Sequence, residues 1–235
     1  KLSFLFDCDK YYFTLIKSSD ASKLFKGIGI YRIKRPIFIM SDISSYPYNR
    51  WIYNQTTEGE ITIDSLKKFV SDVISNRKTP TIISEPIPNY SLSNRSSVQQ
   101  IVNSNFADFV YDDSCETVVL FKEEDNLKSK IVETIFKAIS KILDNKYTKF
   151  YSFDVTKNDI PPEIKEIPRY PMIIMWPAGK KDQPKIFSEE ITFQAVFDFV
   201  KDFASHKFAV PKFDVKQVIE SINEKINKIV NFNKK

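Results

Sequence analysis

Apolar and polar positions along this chain switch between a two-residue and a helical period, and the switches mark out the elements. Leu2-Ser-Phe-Leu-Phe6 is an apolar run that stops at Asp7 and reads as a buried strand. A helical stretch follows to about Lys26 and breaks at Gly27-Ile-Gly29. Arg35-Pro36 then introduces Ile37-Phe-Ile-Met40, a β-branched and aromatic strand whose proline stands where no ladder donor is lost. Trp51-Ile-Tyr53 is a second short strand. Behind Thr62, the residues Leu66, Phe69, Val70, Val73 and Ile74 recur at helical spacing and predict an amphipathic helix over 65–75. Residues 76–97 concentrate Pro, Ser and Asn and read as an extended linker.

Beyond the linker, Val98 to Val110 reads as a strand and a short helix, and Thr117-Val-Val-Leu-Phe121 as a central strand. Leu127 to Leu143 predicts a long amphipathic helix, Phe150 to Val155 a buried strand, and Pro161 to Ile167 a short helix with proline in its first turn. Met172-Ile-Ile-Met-Trp176 and Lys185-Ile-Phe187 pair as strands, and Phe193, Val196, Phe197, Val200 and Phe203 mark another helix. The second half therefore runs β-α-β-α-β-α-β-β-α. Both halves share one theme, an X-Pro step followed by an apolar strand, a partner strand and an amphipathic helix, which suggests duplicated domains. A last stripe of Val218, Ile219, Ile222, Ile226 and Ile229 predicts a tail helix that packs on the second domain or, alternatively, meets a partner.

Composition narrows the chemistry. With 42% apolar and 14% aromatic residues over 235 positions the chain holds enough oily mass to fold, most simply as two small domains. Four glycines, at 27, 29, 59 and 179, leave no room for a phosphate-cradling loop, and a single histidine with two isolated cysteines excludes a His- or Cys-rich zinc site. The formal charge of +5 comes from lysines scattered among acids, with only six arginines, so no nucleic-acid partner is expected. No apolar run is long enough to insert in a membrane. The chain opens at Lys1 without a methionine, which suggests a fragment of a longer precursor.

Some residues invite a sharper reading than the sequence supports. Cys8, between Asp7 and Asp9, reads as structural, and Cys115 as a loop thiol; a bridge between them stays open. Asp7 and Asp9 with Asp112 and Asp113 read as solvated turn residues, so no metal is expected. Glu123-Glu-Asp125 complements the dipole of the helix it precedes. Asn54-Gln-Thr56, Asn89-Tyr-Ser91 and Asn94-Arg-Ser96 fit the N-glycosylation pattern and favour a secretory route only mildly, because such triplets arise freely in a chain rich in Asn and Ser.

Three stretches together resemble the last two thioredoxin-like domains of the protein disulfide isomerase family: Ser84-Glu-Pro-Ile-Pro88, Val98 with Ile101-Val-Asn-Ser-Asn-Phe106, and Tyr170-Pro-Met-Ile-Ile-Met-Trp-Pro-Ala-Gly179. The resemblance implies an α/β fold of two thioredoxin-like domains, each a central mixed sheet flanked by helices. The first, residues 1–83, lacks its opening segment; a linker over 84–97, a second domain over 98–206 and a helical tail over 207–235 follow. In the family the second domain carries a C-x-x-C pair at the start of its long helix. Here those positions are Asn126, Leu127, Lys128 and Ser129, so the resemblance implies lost redox chemistry and no catalytic residue. The family's buried acid falls at Leu120 and its arginine at Ile191. Its cis-proline position is kept at Pro171, which fits either a peptide-contact surface or a constraint of the fold. By position, a family peptide pocket would involve Phe25, Ile28 and Ile30. The implied function is a redox-inactive chaperone or scaffold that binds unfolded or partner polypeptides in the endoplasmic reticulum lumen, without cofactor. The alternative is the substrate-binding part of an active oxidoreductase whose C-x-x-C lies upstream.

Overall fold

The structure, a computed structural model, describes residues 11–17, 36–42, 44, 49–90, 98–143, 146–164, 169–207 and 211–232. The expected first strand, Cys8, and the pocket residues Phe25, Ile28 and Ile30 lie outside them; of the helix expected to about Lys26, residues 11–17 are described and are not helical. The chain divides into two compact units, Lys1–Ile83 and Ser84–Lys235.

In the first unit, β1 (Ile39–Asp42) pairs antiparallel with β2 (Asn49–Ile52), Ile39 standing opposite Ile52. A single helical turn, α1 (Gln55–Glu58), leads to α2 (Ile63–Ile74). The latter begins two residues before the expected start at 65 because Thr62 and Ser65 exchange side-chain-to-backbone hydrogen bonds as a capping box. Its buried face is Phe69, Val70 and Val73, packed with Tyr53; the Phe69 ring meets Tyr53 edge-on at 5.4 Å and Phe38 at 5.8 Å. Ile74, assigned to that stripe by spacing, is 39% exposed in the last turn. Asn76 closes the helix at φ 56°, a left-handed conformation that asparagine tolerates.

The second unit is built on a five-stranded sheet. Its strands are β3 (Gln99–Ile101), β4 (Glu116–Lys122), β5 (Thr148–Asp154), β6 (Met172–Trp176) and β7 (Lys185–Ile186), in the spatial order β3-β5-β4-β6-β7. β3 and β4 both run parallel to β5, whereas β6 is antiparallel to β4 and to β7. This is the thioredoxin-like mixed sheet that the resemblance implies. Successive β4 side chains enter opposite cores, as the two-residue period of a strand requires. Val118 and Leu120 face α4 (Leu127–Leu143) and α5 (Phe193–Phe203); Val119 and Phe121 face Phe106, Phe153 and Trp176, beside the short α3 (Phe106–Val110). The tail helix α6 (Val215–Phe232) lies against α4 and buries Ile222, with Val218 and Ile226 half-buried beside it. Where a helix is expected from Pro161, residues 161–164 instead make a single turn closed by Ile164 N–H to the Pro161 carbonyl at 3.0 Å.

Polar groups fasten both ends of the sheet. At the start of β4 the Glu116 carboxylate, fully buried, accepts Ala178 N–H at 2.7 Å and His206 N–H at 2.6 Å; His206 Nδ1 lies 3.1 Å from the same oxygen, and Tyr147 stacks on the imidazole at 4.7 Å. The buried Lys181 ammonium donates to the carbonyls of Cys115 (2.8 Å) and Trp176 (3.2 Å) and to Thr117 Oγ1 (3.1 Å). Stripping water from that ammonium pushes its pKa below the usual lysine range, with the neighbouring Glu116 and Asp112 carboxylates opposing the shift. The start of the expected linker is held by hydrogen bonds. Glu85 N–H donates to Asn158 Oδ1 at 2.9 Å, Asn158 Nδ2 returns a bond to Glu85 Oε2 at 3.0 Å, and the Tyr90 hydroxyl donates to the Gln100 carbonyl at 2.6 Å.

Replacing Glu116 by alanine orphans two backbone N–H groups at once and is expected to cost at least about 2 kcal/mol. A urea-denaturation midpoint unchanged from wild type would contradict that role.

Candidate functional site

Register alone brings the two candidate segments to one end of the sheet. Phe121 stands opposite Met172, so the Tyr170–Pro171 peptide, which is cis, flanks the end of β4, from which the loop 123–126 departs into α4. Asn126 caps that helix. Its Oδ1 accepts Lys128 N–H at 2.8 Å and Ser129 N–H at 3.3 Å, its carbonyl accepts Lys130 N–H at 3.1 Å, and its Nδ2 donates to Glu123 Oε2 at 2.6 Å. Ser129 is fully buried in the first turn, and its hydroxyl accepts Glu123 N–H at 3.1 Å. Lys128 is exposed, and Leu127 presents an apolar side chain 38% open to solvent.

This arrangement has a definite chemical meaning. The N–H groups at a helix start are the donors that would stabilise a thiolate or another anion there. At α4 the asparagine oxygen already engages two of them. Neither Asn126 nor Ser129 offers a sulfur, and Leu120 and Ile191, at the acid and arginine positions of the resemblance, pack as apolar side chains.

Charged groups surround the loop. Glu133 accepts from Lys122 and lies against Lys137, each at 2.7 Å. Burial works to raise the Glu133 pKa, but the hydrogen bonds and charges of these two lysines outweigh it and hold the carboxyl below the usual range. Lys157 binds Glu124 of the loop and reaches Glu85 and Asp154, each at 3.4 Å. Its ammonium titrates above the usual lysine range, chiefly through the Glu124 bond.

Cys115 lies at the other end of β4, on the order of 20 Å along the strand from Asn126. It is a free thiol in the bend before β4, a loop residue as expected, and it is buried. Burial, together with the Asp112 carboxylate, pushes its pKa up, which keeps it protonated and unreactive. Asp112 accepts from both the N–H and the hydroxyl of Ser114, an Asx turn that pulls its own pKa down. Among the described residues no group of His, Cys, Asp and Glu could hold a metal ion, and no helix is long and apolar enough to cross a membrane. Sequence reasoning missed the Asn126–Glu123–Ser129 bonds and the Glu85–Asn158 pair. The signal for the first was present, since Asn ahead of an apolar-periodic run is a preferred helix cap.

Asn126→Ala is expected to lower stability by about 1 kcal/mol and Asn126→Asp by much less, read from chemical denaturation. Because the Glu133 pKa is depressed in the fold, its contribution is present above the unfolded value and lost as pH falls through the folded one. Glu133→Gln should therefore lose about 1 to 2 kcal/mol at neutral pH and flatten the acid-side decline of the denaturation midpoint.

No family model matches the chain. Its curated relatives include the protein disulfide-isomerase of Humicola insolens, 26% identical over 184 residues, covering 75% of this chain and 34% of the relative. The protein disulfide-isomerase of Arthroderma benhamiae is 28% identical over 193 residues, 79% of this chain and 34% of that protein. Protein disulfide isomerase-like 1-4 of Oryza sativa is 26% identical over 174 residues, 73% and 30% respectively. The chain thus spans about a third of the length of the curated relatives it matches. Among solved structures, the first thioredoxin domain of mouse protein disulfide-isomerase A4 aligns at 17% identity and TM-score 0.41, over 54% of this chain and 94% of that one. Full-length ERdj5 aligns at 15% identity and TM-score 0.39, over 66% and 21%.

Proposed function

Taking as premise that the chain's sequence relatives are protein disulfide-isomerases, we propose that it is a redox-silent chaperone or scaffold that holds polypeptides, working in the lumen of the secretory pathway. The observation that carries this reading is the Asn126 cap. The place where an exchanging thiolate would sit is filled by an amide already bonded to Lys128, Ser129 and Glu123. A thiol–disulfide exchange needs a sulfur that can attack and be attacked, and Cys115, buried at the far end of β4, is in no position to supply it. The fold around the gap is otherwise retained, with the cis Pro171 peptide beside the end of β4 and exposed Leu127 on the helix start. An extended polypeptide could lie along that end of the sheet, its backbone meeting the Pro171 segment and its apolar side chains meeting Leu127.

A second reading is favoured by one observation, the third of each relative that the chain covers. The whole protein would then be an active thiol–disulfide oxidoreductase with its C-x-x-C upstream, and this chain would supply substrate binding. Insulin reduction by the intact protein but not by this chain separates the two.

The chain is expected to slow aggregation of a chemically unfolded client in proportion to its own concentration while leaving insulin disulfides intact. Catalysed insulin reduction by the unaltered chain that Cys8→Ser or Cys115→Ser abolishes, or no effect on aggregation, would defeat the proposal. The paired change Asn126→Cys and Ser129→Cys should give a dithiol that oxidises to an intramolecular disulfide. Its turnover should be slow, because Leu120 offers no proton acceptor.

A further inference from the structure

Of the three stretches that fit the N-glycosylation pattern, Asn54-Gln-Thr56 is the one the structure describes in full. All three of its residues are exposed, directly after β2 in the first unit. Asn89 differs. The Tyr90 that follows it is held against the second unit, its hydroxyl donating to the Gln100 carbonyl at 2.6 Å and accepting from Asn105 Nδ2 at 3.0 Å.

We propose that Asn54 is an N-glycosylated residue, a reading that rests on the lumenal placement proposed above. Its Oδ1 accepts Thr56 N–H at 2.9 Å, a bond that occupies the amide oxygen and leaves Nδ2 outside it. The modification uses the other atom. Nδ2 attacks the anomeric carbon of a lipid-diphosphate-linked oligosaccharide, and a carbon–nitrogen bond forms. The carbon–oxygen bond to the diphosphate breaks, the lipid diphosphate departs with the bonding pair, and one amide proton passes to a base. Nothing is oxidised or reduced. The product keeps the amide oxygen and one N–H, so the cap on α1 survives, and the exposed position gives the bulky polar glycan access to water. A residue chosen only for capping would need neither the amide nitrogen nor a hydroxyl two positions on, since aspartate caps as well as asparagine.

That contrast supplies the test. The full chain, directed into the endoplasmic reticulum of a eukaryotic cell by a cleavable signal, is read for glycosidase-sensitive mobility steps. Asn54→Asp, which keeps the capping oxygen, and Thr56→Ala, which keeps the backbone donor, should each remove one step, while Thr56→Ser retains it. Matched thermal melts of the unglycosylated variants check that the fold is intact. The same step pattern in Asn54→Asp as in wild type overturns the assignment, wherever the natural protein resides. If the directed chain gains the step but the natural protein, isolated from its source, carries no glycan at Asn54, the lumenal placement fails and the proposal with it.

Discussion

Burial of β4 on both faces is the constraint from which the second unit follows. A strand with hydrogen-bonded neighbours on either side and an apolar core above and below has no exposed flank for chemistry. Val118, Leu120, Val119 and Phe121 are each fully buried, at roughly 1.5–3 kcal/mol of hydrophobic stabilisation per side chain. Polar function is thereby driven to the two ends. One carries Glu116 and its partners; the other carries the loop that turns into α4.

At that second end the turn into α4 is held by its own polar groups. The start of a long helix concentrates unpaired N–H donors and a positive dipole end, which is a favourable place for an anion. In this chain the donors are directed at an uncharged amide of the same chain. The Asn126 side chain also binds Glu123, and the Ser129 hydroxyl takes the Glu123 N–H, so the loop is closed by reciprocal bonds. This makes the turn an element of stability.

How much of this could be read in advance depends on the range of the interaction. α4 and β6 occupy the residues their periodicity marks, Leu127–Leu143 and Met172–Trp176, because a dense apolar pattern and nearby signals decide them. The described part of the helix expected from Pro161, residues 161–164, is a turn, because proline at a first turn permits a helix without compelling one. Residues 84–90 read as an extended linker since Pro and Ser dominate there, and nothing in that pattern shows that Glu85 is bound by Asn158, seventy-three positions later. Cys115 is the loop thiol it reads as, but its burial and the hold of Lys181 on its carbonyl, sixty-six positions later, are not legible locally. Glu116 is the clearest case. A carboxylate opening an apolar strand gives no hint of partners sixty-two and ninety residues away.

Lys157 has a mechanical consequence. One ammonium serves carboxylates from three separate stretches, Glu85 at the entry to the unit, Glu124 in the turn before α4, and Asp154 at the end of β5. Displacing the entry segment draws on the same cation that steadies the turn. Any remodelling of the turn would have to carry that shared counter-ion with it, as a tether between how the unit is entered and where its long helix begins.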